Sequence, residues 1–299
     1  MNEQGKKSDC LIRGTVSPLN IRFIYVDVTK CANSIARVHH CDPAAADLIA
    51  QGVVAGALTI ALLDGDERYS IRWNYHGALK NMICDVQANG KLRCVMNSYQ
   101  MLDAIQKYSD LLGEDDGGIS LVKSTTGKVL NSGETKAGLL SIVDDLSLFF
   151  SISDQIESEA IFSVKISDSP GEAIHFAQGM LIQALPGCDL EKFAQIRDSL
   201  HQAPLEILRD EVVGLETKIK LIVNELTGID SVGTPDTVKY EFGVTPEFAC
   251  DCSYEKMREA LSTLGEAELK KLFQENPHPK IRCNFCEKEY VFKSEDFFS

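Results

Sequence analysis

Four cysteines near the C-terminal end have the type and spacing to hold a metal ion. Cys250 and Cys252 are separated by one residue, Cys283 and Cys286 by two, and 30 residues lie between the pairs. Two close pairs divided by a spacer are the pattern of a four-thiolate zinc site, in which each short loop supplies two ligands and the spacer folds back to join them. Zinc takes all four sulfurs as thiolates, which is also the form that oxidants attack. With one or two residues between its members, each pair can reach disulfide geometry by local backbone adjustment. The same four atoms can therefore hold one Zn2+ per chain when reduced and form two local disulfides when oxidised. A purely structural zinc knot fits the same spacing.

The size of the segment sets what metal loss would do. Residues 239–299 number 61, with 12 acidic and 9 basic side chains. A segment this small buries little apolar surface and needs a staple. Structural zinc contributes about 10–16 kcal/mol to folding in small modules, which exceeds or matches the margin of about 5–15 kcal/mol that holds a whole domain. Oxidation of the ligands is expected to unfold this module.

The other six cysteines (Cys10, Cys31, Cys41, Cys84, Cys94 and Cys188) are scattered and read as small buried hydrophobes. Asn89-Gly90 between Met82–Val86 and Leu92–Met96 signals a two-residue hairpin. That register would set Cys84 opposite Val95 and Cys94 opposite Asp85, with the two thiols on opposite faces and unable to pair.

The elements that must carry these residues are legible in outline. Residues 21–28 are rich in β-branched and aromatic side chains and predict a strand. Asp42-Pro43 opens an Ala-rich helix, with Asp42 as cap and Pro43 at the first helical position. Tyr69, Ile71, Trp73 and Tyr75 alternate with polar residues, as in a half-buried strand. Glu114–Gly118 reads as an exposed acidic turn, and Asp144–Phe150 as the end of a helix. Leu205, Leu208, Val212, Leu215, Ile219, Ile222 and Leu226 make an apolar stripe at helical spacing, opened by Pro204, broken at Gly214 and closed by Gly228. Ser231–Asp236 reads as a hinge. The expected organisation is α+β: a mixed α/β core over 1–176, a helical linker over 177–238, and a small four-cysteine zinc-binding redox-switch domain over 239–299.

Composition bounds the partners. The chain has 299 residues and a formal net charge of −14, which argues against nucleic acid and anionic membrane surfaces. The longest charge-free apolar run, Leu48–Leu63, is short for a membrane span and includes Gln51, Gly52 and Gly56, which suits a buried helix better. Met1–Cys10 is polar, with no targeting pattern, so a cytoplasmic location with reduced thiols is expected.

Around the four cysteines the chain reads Tyr240-Glu241-Phe242, Phe248-Ala249-Cys250-Asp251-Cys252-Ser253, Arg282-Cys283-Asn284-Phe285-Cys286 and Tyr290-Val291-Phe292. By these residues the sequence resembles, most strongly in its C-terminal segment, the heat shock protein 33 family of redox-regulated molecular chaperones. A second match runs from Ala177 to Gly187. Weaker ones are Ala36 with His39, Pro43–Ala46, Ser132-Gly133-Glu134, Asp145-Leu146, Phe150 and Ser153-Asp154-Gln155. The family usually has Glu where this chain has Asp154, and Asn97–Gly118 is short of its glycine-marked segment. The resemblance implies an ATP-independent holdase chaperone, inactive while zinc sits on the four thiolates. Peroxide with heat, or hypochlorite, would convert the ligands to Cys250–Cys252 and Cys283–Cys286 disulfides and release zinc. The module and then the linker would unfold, and the active protein, commonly a homodimer, would bind unfolding client proteins. The linker stripe would then be client-binding surface that is masked in the reduced state.

Two rivals are weaker. An enzyme would need a catalytic constellation. Gly127-Lys128 lacks the rest of a phosphate loop, His39-His40-Cys41 points its neighbours in different directions, and His175, His201 and His278 have no visible partners; His278, near Cys283, could substitute as a ligand, but four thiolates already complete a closed tetrahedron. The second rival is a structural zinc ribbon that mediates interactions or binds nucleic acid without redox switching. The net negative charge of its module is poor electrostatics for phosphates.

Overall fold

In a computed structural model the chain divides into two compact units, Met1–Phe248 and Ala249–Ser299. The structure describes residues 9–169, 171–228 and 237–298. The expected hinge at Ser231–Asp236 lies outside them.

The first unit opens with strands β1 (Cys10–Val16) and β2 (Ile21–Asp27) and helices α1 (Thr29–Val38) and α2 (Pro43–Ile60). Strands β3 (Arg68–Asn74), β4 (Asn81–Gln87), β5 (Lys91–Met96), β6 (Gly117–Thr125) and β7 (Lys128–Ala137) follow, then α3 (Ile142–Ile152), β8 (Ser158–Ile166) and β9 (Ile174–Ala184). Three further helices come next, α4 (Leu190–Leu200), α5 (Ala203–Arg209) and α6 (Leu215–Thr227), and the unit ends with strands β10 (Val238–Phe242) and β11 (Glu247–Phe248). The strands form two sheets, in the orders β10-β1-β2-β9-β8 and β11-β5-β4-β3-β6-β7. All pairings are antiparallel except β11 with β5.

Alternation along β2 shows how the layers stack. Ile24 and Val26 join a core shared with α1, α2, α3 and the six-stranded sheet, whereas Ile21, Phe23 and Tyr25 face a second core built with α4, α5 and α6. The five-stranded sheet is thus covered on both faces, which is why residues 21–28 read as a near-continuous apolar run. Helix α2 lies between the sheets. The Asp42 carboxylate accepts from the Ala45 N–H at 2.8 Å, as a cap should, and Ala45 through Ile60 are buried almost all round. By length and composition this helix could cross a membrane, but 83% of its apolar window is buried inside the protein.

The apolar stripe divides as its glycine suggests, with one difference. Gly214 caps α6 and Gly228, at φ +63°, ends it. Leu208, Ile219, Ile222 and Leu226 are buried on the sheet, but Val212 is 94% exposed because Asp210–Val213 is not helical. Lys218 is also buried; its ammonium donates to Gln178 Oε1 (3.0 Å) and to the Leu208 carbonyl (2.8 Å), and Gln178 donates in turn to Asp27 (2.9 Å). The 176/177 boundary falls inside β9, the strand between β2 and β8, and β10 of the 239–299 segment begins at Val238 and pairs with β1.

The β4–β5 hairpin corrects the register expected from Asn89-Gly90. Its strands end at Gln87 and resume at Lys91, so the loop has three residues, closed by the Gly90 N–H on the Gln87 carbonyl (3.0 Å) with Gly90 at φ +89°. One extra loop residue shifts the pairing by one and turns the second strand over. Cys84 therefore stands directly opposite Cys94, and both are fully buried on the same face.

The second unit contains helices α7 (Tyr254–Ser262) and α8 (Glu266–Glu275) and the hairpin of β12 (Lys280–Arg282) and β13 (Glu289–Val291). Its core is small: Leu261, Leu269, Tyr290 and Phe292 are buried, with aromatic and aliphatic side chains such as Tyr254, Phe273 and Phe297 packed partly around them.

Candidate metal centre

The site is built by two turns. One precedes α7, where the Ser253 hydroxyl caps the helix by accepting from the Lys256 N–H (3.2 Å) and so fixes the end of the Cys250–Cys252 loop. The other joins β12 to β13. There the Cys283 N–H donates to the Lys288 carbonyl (3.0 Å), and the Glu287 N–H returns to the Cys283 carbonyl (2.8 Å) with Glu287 at φ +60°. This turn carries Cys283 and Cys286 on one side.

Together the turns bring the four expected sulfurs, Cys250, Cys252, Cys283 and Cys286, within 4.8 Å of one another. Two of the separations cross between the loops, 3.7 Å for Cys250–Cys283 and 3.4 Å for Cys252–Cys286. Four thiolates at about 2.3 Å from a tetrahedral zinc stand about 3.8 Å apart, so the cluster has the dimensions such an ion requires. It is the one such group of metal-binding side chains among the described residues.

The surroundings favour thiolates at chosen atoms. Burial opposes ionisation of Cys252, but the Tyr290 hydroxyl, which donates to its Sγ at 3.1 Å, and the other three thiols outweigh burial and bring its pKa down to about 7. Burial pushes Cys283 up, against backbone N–H groups of Phe285 and Cys286 that favour its anion. Cys286 is pushed up by burial and by its neighbouring thiols, with the Lys288 N–H opposing. Without a cation, then, the cluster ionises readily at one sulfur; four thiolates together require the positive charge of a metal.

Tyr290 belongs to the family likeness, but its part at the sulfur cluster is not legible in the sequence. Its position on β13 opposite Ile281 points it into the small core, and only that register carries its hydroxyl to Cys252.

Elsewhere burial holds five of the thiols protonated. Burial pushes Cys10 up to about 11 and Cys41 up to about 12, and raises Cys31, Cys94 and Cys188. His39 stacks on Tyr99 (4.2 Å between ring centres) at the end of α1, and His40 lies beyond it at φ +51°. His175 pairs with Glu211 (2.7 Å) and His201 with Glu159 (3.0 Å). His278 is exposed and outside the sulfur cluster. Gly127 turns the β6–β7 hairpin at φ +77° and precedes no helix, so Gly127-Lys128 is not a phosphate loop.

The chain is similar to known proteins along nearly its whole length. A family model described as Hsp33 protein matches residues 9–293. A 33 kDa chaperonin of Clostridium perfringens is 28% identical over 296 residues, covering 97% of this chain and 90% of that protein. A 33 kDa chaperonin of Staphylococcus carnosus is 24% identical over 294 residues, covering 96% of each. The crystal structure of the 33 kDa chaperonin (heat shock protein 33 homolog) of Thermotoga maritima superposes with a TM-score of 0.79 at 20% identity, over 97% of this chain and 96% of that one, which shows a shared fold.

Proposed function

The chain belongs to the Hsp33 protein family, and from that premise we propose that it is a redox-regulated, ATP-independent holdase chaperone of the cytoplasm and not an enzyme. The observation that carries this reading is the cluster of Cys250, Cys252, Cys283 and Cys286 in a unit whose buried core is four side chains. In the reduced state the four thiolates would hold one Zn2+, which supplies the charge that keeps them ionised and the cross-link that keeps so small a unit folded. The Tyr290 hydroxyl and the backbone N–H groups of Phe285, Cys286 and Lys288 orient and stabilise the anions.

Activation is an oxidation of those sulfurs. Cys250 with Cys252, and Cys283 with Cys286, each lose two electrons to a peroxide, which takes up two protons and leaves as two waters; one disulfide forms per peroxide. Disulfide sulfurs are poor zinc ligands, so these four residues would no longer hold the ion, and the folding free energy it would supply would be lost. The unit then unfolds, the helices over 190–227 loosen, and the apolar side chains they share with the five-stranded sheet become available to unfolding client proteins, with the active form a homodimer. The net charge of −14 keeps such a surface soluble and gives no affinity for nucleic acid or anionic membranes.

The test measures zinc content and suppression of client aggregation before and after peroxide treatment at raised temperature. Loss of zinc together with a gain of anti-aggregation activity is expected. Retained zinc, or zinc loss without activity, would leave a structural zinc module instead. Cys283→Ser should lower zinc occupancy in the reduced protein, and full occupancy in that variant would contradict the ligand assignment.

A further inference from the structure

Three more cysteines meet inside the first unit. Cys84 on β4 and Cys94 on β5 are directly paired across the hairpin and fully buried. Directly opposed residues of an antiparallel pair have Cα atoms about 4.5–5.5 Å apart, inside the range of about 4.4–6.8 Å that a disulfide spans. Helix α2 passes close over both sulfurs: a Cβ at Gly56 would stand 2.5 Å from Cys84 Sγ, and one at Gly52 3.7 Å from Cys94 Sγ. Cys31 on α1 lies near enough that its charge would be felt by Cys94 and that of Cys84 by Cys31.

Strand β11 lies along the edge of the sheet beside this group. Its two residues pair with the outer edge of β5, Glu247 opposite Lys91 and Phe248 opposite Leu92, and the Glu247 N–H donates to the Gly90 carbonyl (3.0 Å). The Glu247 carboxylate is close enough to Cys31 to raise its pKa, and Phe248 packs against the core that holds all three thiols. In sequence, Phe248 is two positions from Cys250. So short a strand is easily lost, and it adjoins the segment whose unfolding was proposed above.

We propose that Cys84 and Cys94 form a second redox site, shut while β11 is paired with β5 and oxidised to a cross-strand disulfide once β11 leaves. This rests on the holdase reading for what removes β11 in the native protein. With the strand in place the thiols are buried, protonated where burial raises their pKa, and beyond the reach of peroxide. With it gone, the edge of β5 and the flank of α1 are open to solvent. One thiolate of the pair attacks the peroxide oxygen, giving a sulfenic acid and releasing water; the other displaces hydroxide from that sulfur, which leaves as the second water. Two thiols and one peroxide become one disulfide and two waters. The order is fixed: zinc release comes first and the core disulfide second.

The test follows full-length protein through peroxide treatment at raised temperature, reading zinc release with a metal indicator and thiol state by differential alkylation and peptide mass spectrometry. A Cys84–Cys94 linked peptide should appear only after zinc has been released. In Glu247→Pro, which removes the N–H bonded to Gly90, and in Phe248→Ala, which opens the cover with the backbone intact, alkylation of Cys94 in the reduced, zinc-loaded protein should rise at least tenfold over wild type. Peroxide should then link Cys84 to Cys94 in both variants. If wild type loses its zinc while Cys84 and Cys94 remain alkylatable, the second site does not exist. If both variants protect Cys94 as wild type does, β11 is not its cover. If peroxide releases no zinc from wild type, the holdase reading fails, and the two variants still decide the core pair.

Discussion

At the scale of single residues, the division of labour among ten cysteines follows from what surrounds each sulfur. Cys252 is brought to about 7 by donors that outweigh its burial, whereas Cys10 and Cys41 are driven to about 11 and 12 chiefly by burial. Tyr290 is the decisive neighbour, because its hydroxyl donates directly to Cys252 Sγ. Hydrogen bonds to charged groups are worth about 1.5–3 kcal/mol, and removing such a partner of a metal ligand typically weakens the metal about 10–100-fold. Tyr290→Phe keeps the ring in the small core and deletes only the donor. Chelator competition should show zinc held about 10–100-fold less tightly, and the pH at which acid strips the metal should move upward, since an unsupported thiolate takes up a proton more readily. Wild-type affinity in the variant would mean that the hydroxyl contact is incidental. The four cysteines were legible from spacing alone, because ligands of one site must come in close pairs. Tyr290 was not, because its role depends on which residue of β13 faces Ile281.

At the scale of elements, the three helices α4, α5 and α6 form an outer layer whose hold on the sheet mixes apolar burial with a few polar anchors. Lys218 anchors α6 from within, and His201 ties the end of α4 to Glu159 on β8. The pairing with Glu159 raises the His201 pKa above its usual 6.5, with partial burial opposing. A raised histidine stabilises the folded form fully below pH 6.5, and loses that contribution as pH rises through the folded value. Both side chains keep some contact with water, so the pair is worth about 0.2–1 kcal/mol at most. His201→Gln retains a neutral donor and should lower the urea midpoint of the first unit below pH 6.5 while matching wild type once the pH has risen past the folded-state titration of His201; a difference that persists unchanged at high pH would assign the effect to packing instead. The sequence announced these helices unevenly. Pro204, Gly214 and Gly228 punctuate α5 and α6 correctly, because backbone constraints act locally. Val212 fell outside the stripe, and the Cys84–Cys94 register slipped by one, because a single non-helical turn or extra loop residue resets every side chain after it. Helix α4 was not foreseen, although Asp189 caps it by accepting from the N–H groups of Glu191 and Lys192.

At the scale of the whole molecule, the two units differ in what holds them together. The first has two extensive cores on either side of a fully covered sheet and needs no cross-link. The second, Ala249–Ser299, buries a core of four side chains and gathers four thiols. Apolar burial at about 25 cal/mol per Å2 cannot offset the ordering of so long a segment around so little core, so the metal's contribution of about 10–16 kcal/mol decides whether this unit folds. Stripping zinc with a strong chelator under reducing conditions should therefore unfold the second unit, loosen at most the outer helices over 190–227, and leave the middle of the first unit folded. Hydrogen exchange should become fast throughout α7, α8 and the β12–β13 hairpin, and circular dichroism should lose the signal of those two helices. Amides of β2, β9 and α2, in the middle of the first unit, should keep their protection. Re-addition of zinc should restore the second unit without refolding the first. If 254–291 stayed protected without metal, its fold would be independent of the sulfur cluster, and oxidation of those sulfurs would then have no unfolding to trigger.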